Sequence, residues 1–132
     1  MGIAAAARVP DGRWVLVRRA DTGAWAMPGG TLEWGETLRM ALPRELEEEA
    51  GIVQTKLGRV LGVYSRPDRD VRFHAVTIVV ACEADLPTRP PKNPLEIREV
   101  GLFETSQVPR PLAMGMDDMF DDACKGELGR WE

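Results

Sequence analysis

Residues 29–52, GGTLEWGETLRMALPRELEEEAGI, constrain the fold of this chain more than any other stretch. Glu45, Glu48 and Glu49 stand at i, i+3 and i+4, so a helix would put all three on one face. Like charges at that spacing repel, by about 0.2–0.5 kcal/mol per pair on an exposed helix. The cluster needs compensation, and a hard divalent cation, which prefers oxygen ligands, would supply it. Arg44 neighbours the same face, where a guanidinium can pair with a glutamate and hold it ionised. Ahead of the helix, Pro28-Gly29-Gly30 lets backbone approach a ligand without side chains in the way. Thr37 fits the N-cap, and Gly51 fits the left-handed residue that ends the helix. A loop–helix–loop follows, aiming backbone oxygens and three carboxylates at one point.

Gly30, Glu36, Arg44-Glu45-Leu46, Glu48-Glu49 and Gly51-Ile52 fill every defining position of a known motif. Across residues 30–52 the chain resembles the Nudix box of the Nudix hydrolase family. The resemblance implies an α/β fold: an α/β/α sandwich with a mixed β-sheet and a loop–helix–loop catalytic motif. It also implies hydrolysis of a nucleoside diphosphate linked to another group X, with Mg²⁺ or Mn²⁺. Carried over residue by residue, it makes Glu45, Glu48 and Glu49 metal ligands, helped by the Gly29 carbonyl. Arg44 would orient Glu45, and Glu36 would be mainly structural. One position departs from the pattern. Pro43 stands where the family usually has a small helix former, and it removes an N–H from the helix ladder. Either the helix bends there or its regular part begins near it.

A chain of 132 residues, 44% hydrophobic, suits one domain spanning 1–132 with its own core. A net charge of −4 argues against polymeric nucleic acid, which needs a basic surface. A small phosphorylated nucleotide remains compatible, because bound cations offset the acidic cluster. Cys82 and Cys124 are too few and too far apart for a zinc motif or a disulfide framework. Two reduced cysteines fit a cytoplasmic protein. His74 is the only histidine, which excludes a histidine-based metal site. No apolar run is long enough to span a membrane, so no membrane association is expected.

Taken in order, Ile3–Val9 and Trp14–Arg19 read as a hairpin turned at Pro10-Asp11-Gly12. Val15 and Val17 should share one face, with Trp14, Leu16 and Arg18 on the other. Arg18 and Arg19 close that strand as either a solvated end or a phosphate contact, since arginine forks suit phosphates. Trp25 begins a short strand, Trp25–Met27, as core packing or as a platform for a base. Leu38, Ala41, Leu42 and Leu46 make the apolar stripe of the helix over Thr37–Ala50, which leaves the glutamate face open to solvent. Gln54–Ser65 reads as a strand bent at Gly58 and Gly62, and Ala75–Ala84 as a buried strand.

Between those strands, Pro67, Arg69-Asp70, Arg72 and His74 resemble the segment after the box in the ADP-ribose pyrophosphatase-like branch. The resemblance makes Pro67 a substrate marker and lets Arg69 or Arg72 bind a terminal phosphate or ribose. Asp85–Pro94, with four of the ten prolines, is a surface loop rather than a second domain. Glu96 and Glu99 precede a final strand at Val100–Phe103, where the family often supplies a further ligand or the base. A turn at Ser106–Pro111 leads to a closing helix, Asp117–Lys125. Met116, Met119, Phe120 and Ala123 should face inward there, with Asp117, Asp118, Asp121 and Asp122 solvated.

These readings converge on a metal-dependent pyrophosphohydrolase. A glutamate takes the proton from the attacking water: Glu45 first, with Glu96 or Glu99 as alternatives. The resemblance favours ADP-ribose or a related nucleoside diphosphate derivative. Two alternatives stand beside it: a house-cleaning nucleoside triphosphate pyrophosphohydrolase and a non-catalytic nucleotide sensor of the same fold. Related enzymes often build their pocket across two subunits, which puts a homodimer among the expectations.

Overall fold

Strand β1 (Gly2–Arg8) is buried on both faces, and the rest of the fold is layered on it. Its side chains alternate between two cores. Ile3, Ala5 and Ala7 enter one, while Ala4 and Ala6 enter the other. The next strand, β2 (Trp14–Arg19), divides in the same way, with Val15 and Val17 on one side and Trp14 and Leu16 on the other. The structure is a computed structural model and describes residues 1–132.

The remaining elements are β3 (Trp25–Ala26), β4 (Gly29–Thr31), α1 (Leu38–Ala50), β5 (Thr55–Tyr64), β6 (Thr77–Ala84), β7 (Ile97–Phe103), α2 (Asp117–Lys125) and β8 (Arg130–Trp131). All eight strands join one sheet, ordered β3-β2-β1-β6-β5-β8, with β4 on β1 and β7 on β2. The β1–β6 and β5–β8 pairs are parallel and the others antiparallel, so the sheet is mixed. Ala41, Leu42, Leu46 and Ala50 of α1 fill the core on one face. Met119, Phe120 and Ala123 of α2 fill the other, where Phe120 meets Trp14 edge to face at 5.0 Å. The expected α/β/α sandwich is the observed architecture. No helix is long and apolar enough to cross a membrane.

Four details differ from the sequence reading. The first two strands follow one another around a tight turn, but they pair only at Arg8↔Trp14. The edge of β1 that a full hairpin would use is taken by β4, with Ile3↔Gly30 and Ala4↔Gly29 in register. The last long strand starts at Ile97 rather than Val100, because Ile97 is buried and Glu99 pairs in register with Arg18. Asp122 is not solvated: it is buried and accepts a 2.8 Å hydrogen bond from the Tyr64 hydroxyl. Nor is the glutamate face of α1 open, since Glu45 and Glu49 are both buried.

Helix α1 keeps both expected caps. The Thr37 hydroxyl accepts from the Met40 N–H, and Gly51 is left-handed at φ 67°. The helix continues as one element through Pro43. Strand β5 shifts register on either side of Val60, between the two glycines expected to bend it.

Candidate active site

Strand β4 and helix α1 meet where the chain has no side chains to spare. A Cβ on Gly29 would lie 2.0 Å from the Ile3 carbonyl oxygen, and one on Gly30 would lie 2.6 Å from a Glu45 carboxylate oxygen. Fixed backbone therefore requires glycine at 29, whereas at 30 a side chain would displace the Glu45 carboxylate. The Gly29 N–H donates to Glu49 Oε1 at 2.9 Å. Neighbouring Arg44 spreads its guanidinium over three carboxylates. Nε and Nη2 grip Glu36 at 2.7 and 2.8 Å, and Nη1 reaches Glu45 at 3.0 Å and Glu48 at 3.3 Å. Glu36 thus anchors the arginine that holds the two glutamates.

Burial pushes the Glu45 carboxyl up to about 7, against the pull of Arg44, with the Glu48 and Glu96 charges adding to the rise. Burial pushes Glu49 up to about 8, opposed by the Gly29 N–H and raised further by the Glu45 and Glu96 charges. Arg44 compensates only part of the negative charge. The unmet remainder is the demand that a hard divalent cation, with its preference for carboxylate and carbonyl oxygen, fits. No three His, Cys, Asp or Glu side chains converge closely enough to hold a metal in this structure. The reason is visible in the hydrogen bonds: Arg44 draws Glu45 and Glu48 to itself, and the Gly29 N–H draws Glu49 the other way.

These glutamates line a cleft of about 1130 Å³, which is large enough for a dinucleotide-sized ligand. Arg19 and Glu96 also face it. Arg19 is forked onto Asp21 at 3.0 and 2.9 Å, and its charge is felt by both Glu49 and Asp70. Arg18 and Glu99 lie outside the cleft, paired with each other at 3.1 Å. Trp25 packs edge to face on Phe103 at 5.0 Å and does not line the cleft, and Pro67 is exposed outside it. Of the two loop arginines, Arg69 is buried. It donates to the Gly115 carbonyl at 2.8 Å and pairs with Asp118 and Glu132. These bonds tie the loop to α2 and to the C-terminal strand. Arg72 remains half-exposed at the wall of the cleft, held by Asp70.

Lys92, Phe73 and Met114 are among the cleft residues that escaped the sequence reading. Lys92 forms no ion pair, and its loop is pinned to α1 through the bond from its N–H to the Glu48 carbonyl, 2.7 Å. The density of prolines marks this stretch as a loop but does not reveal that it leans on the helix. Phe73 sits beside the arginines already singled out, and its exposure is the signal that could have found it. Met114 gives no sequence signal.

A family description, the NUDIX domain, matches residues 1–123. The chain belongs to the Nudix family. Among curated Nudix relatives, the ADP-ribose pyrophosphatase of Methanocaldococcus jannaschii is 34% identical over 122 residues, spanning 90% of this chain and 70% of that protein. Matches to several further curated relatives span less than half of their length. Among solved structures, an ADP-ribose pyrophosphatase from Streptococcus suis superposes with a TM-score of 0.80 at 21% identity, covering 99% of this chain and 97% of that one. The NUDIX domain of Shewanella oneidensis NrtR, complexed with ADP ribose, gives a TM-score of 0.71 at 19% identity, covering 95% and 86%. At such identities the two structures establish the Nudix fold.

Proposed function

We propose that this Nudix hydrolase cleaves the pyrophosphate bond of a nucleoside diphosphate derivative, ADP-ribose or a close relative. One observation carries the reading. Two buried, under-compensated carboxylates, Glu45 held by Arg44 and Glu49 by the Gly29 N–H, line a cleft large enough for such a molecule. The 34% identical ADP-ribose pyrophosphatase supports the choice of substrate.

Glu45, Glu48 and Glu49, with the Gly29 carbonyl, are the groups that would hold Mg²⁺ or Mn²⁺. Such a cation, when bound, neutralises diphosphate charge and lowers the pKa of a coordinated water. The protein's own part is positioning and proton handling. Arg44 fixes the side chains of Glu45 and Glu48 through the bonds it makes to both. Glu45, oriented by Arg44 and lining the cleft, is our first choice of base. Glu96 faces the same cleft and is the alternative we favour over Glu99, which lies outside the cleft and pairs with Arg18. Arg19 is the arginine nearest in charge to Glu49 and is assigned to the diphosphate. Arg69 is assigned to framework, because its partners already consume its charge.

The test is hydrolysis of a nucleotide panel with Mg²⁺ and with Mn²⁺, identifying products by mass. ADP-ribose should yield AMP and ribose 5-phosphate. Pyrophosphate released from nucleoside triphosphates, with ADP-ribose left intact, would overturn the substrate assignment.

A further inference from the structure

Part of the cleft wall is built by two segments far apart in sequence, the loop that carries Arg69, Asp70, Arg72 and Phe73 and the turn that carries Met114 and Met116. Three side chains there face the cavity. The Arg72 guanidinium is held along its edge by Asp70, which accepts from Nε at 3.0 Å and from Nη2 at 2.8 Å. Asp70 is itself buried and also accepts from the Arg72 N–H at 2.9 Å, so the arginine has little freedom to turn. A guanidinium bound by its edge keeps its flat faces for stacking. The Arg72 guanidinium carbon lies over the Phe73 ring, 5.1 Å from its centroid, and Phe73 is 59% exposed, which leaves ring surface open to a ligand.

Met114 closes the third side, with its sulfur 3.1 Å from Arg72 Nη2. Its backbone lies at φ 55°, and it is the one non-glycine residue with positive φ. L side chains avoid that conformation, and strain of this kind gathers at functional sites. The neighbouring Gly115 is locked from outside, its carbonyl accepting from Arg69. A methionine kept where glycine would sit without strain contributes through its side chain, which touches one core on its inner side and the cleft on its outer side.

We propose that Arg72, Phe73 and Met114 form the seat for the substrate's nucleobase. A planar heterocycle would lie on the guanidinium and phenyl surface, with the thioether against it. The assignment rests on the substrate being a nucleotide, as proposed above, and adds which wall of the cleft the base occupies. Asp70 offsets the Arg72 charge and takes two of its donors, and the exposed Phe73 beside it adds a flat surface that suits a base better than a terminal phosphate.

The test is calorimetric binding of AMP and of ribose 5-phosphate to the wild-type protein and to Phe73→Ala, Phe73→Trp and Met114→Asn. Phe73 is exposed enough for truncation to spare the fold, and asparagine tolerates left-handed backbone. Wild type should bind AMP more tightly than ribose 5-phosphate. Phe73→Ala and Met114→Asn should each weaken AMP by roughly fivefold or more, with ribose 5-phosphate held within about twofold, and Phe73→Trp should restore AMP binding. AMP affinity unchanged by Phe73→Ala would overturn the seat. So would equal weakening of both ligands, or a wild type that binds AMP no better than ribose 5-phosphate. Because the readout is binding, the two proposals fail separately. AMP bound through Phe73 without ADP-ribose turnover leaves the seat and removes the reaction. ADP-ribose turnover with AMP binding indifferent to Phe73 does the reverse.

Discussion

Arg44 concentrates more of the site's order than any other single side chain. Its fork satisfies Glu36 with two bonds and still leaves Nη1 for Glu45 and Glu48. A lysine keeps the charge but offers one compact ammonium, which cannot hold three carboxylates in fixed directions. Arg44→Lys should therefore fold and lower kcat by roughly 10- to 100-fold, with a smaller effect on KM. Steady-state kinetics with a thermal melt check this, and a kcat within about twofold of wild type would deny Arg44 its positioning role. At this scale the motif was legible because its spacing is short-range: i, i+3 and i+4 place glutamates on one face whatever surrounds them. What lay beyond reach was partnership across the chain. The pairing of Arg69 with Asp118 and Glu132, far along the sequence, has no local signature.

Among the elements, β4 is the shortest strand with a decisive role, and its two glycines make different demands. Gly29 faces fixed backbone at 2.0 Å, so Gly29→Ala forces β4 off β1 and should prevent stable folding. Gly30 faces the end of a glutamate side chain, which can move aside. Gly30→Ala should fold with its melting temperature within a few degrees of wild type, yet lose most activity, because Glu45 must leave its place beside Arg44. Circular dichroism melts and turnover of both variants test this, and a fully active Gly30→Ala would show that the position of Glu45 is not critical. Helix α1 was legible from Thr37 to Gly51 because both caps are local chemistry. The opening of the first hairpin was not. It depends on β4 competing for the same edge of β1, and nothing within residues 3–19 reports that competitor.

At the scale of the whole molecule, the sandwich followed from two periods, alternation in β1 and β2 and a 3.6-residue stripe on α1. The parallel β1–β6 pairing did not, because its partners, such as Gly2 and Thr77, lie far apart in the sequence. Burying α1 against that sheet also sets how stability depends on pH. Glu45 and Glu49 have folded pKa values of about 7 and about 8, above the value of about 4.3 for a glutamate in an unfolded chain. Between those limits the folded state holds protons that the unfolded state has lost, so stability falls as pH rises through the window. Each raised unit costs about 1.4 kcal/mol, which puts the effect of Glu49 alone on the order of a few kcal/mol by pH 8.5. Asp70, Asp118 and Glu132 act oppositely: their depressed pKa values stabilise the fold above the usual carboxylate range and withdraw that support in acid. With divalent ions chelated, the melting temperature should therefore decline from about pH 5.5 to 8.5. Glu49→Gln, whose amide oxygen can still accept from Gly29, should flatten the decline while abolishing most turnover. Added Mn²⁺, by favouring the charged carboxylates of the folded state, should raise the melting temperature of wild type more at pH 8.5 than at pH 5.5. A wild-type melting temperature that holds constant or climbs across this range in chelator would mean that Glu45 and Glu49 are not the strained pair on which the site depends.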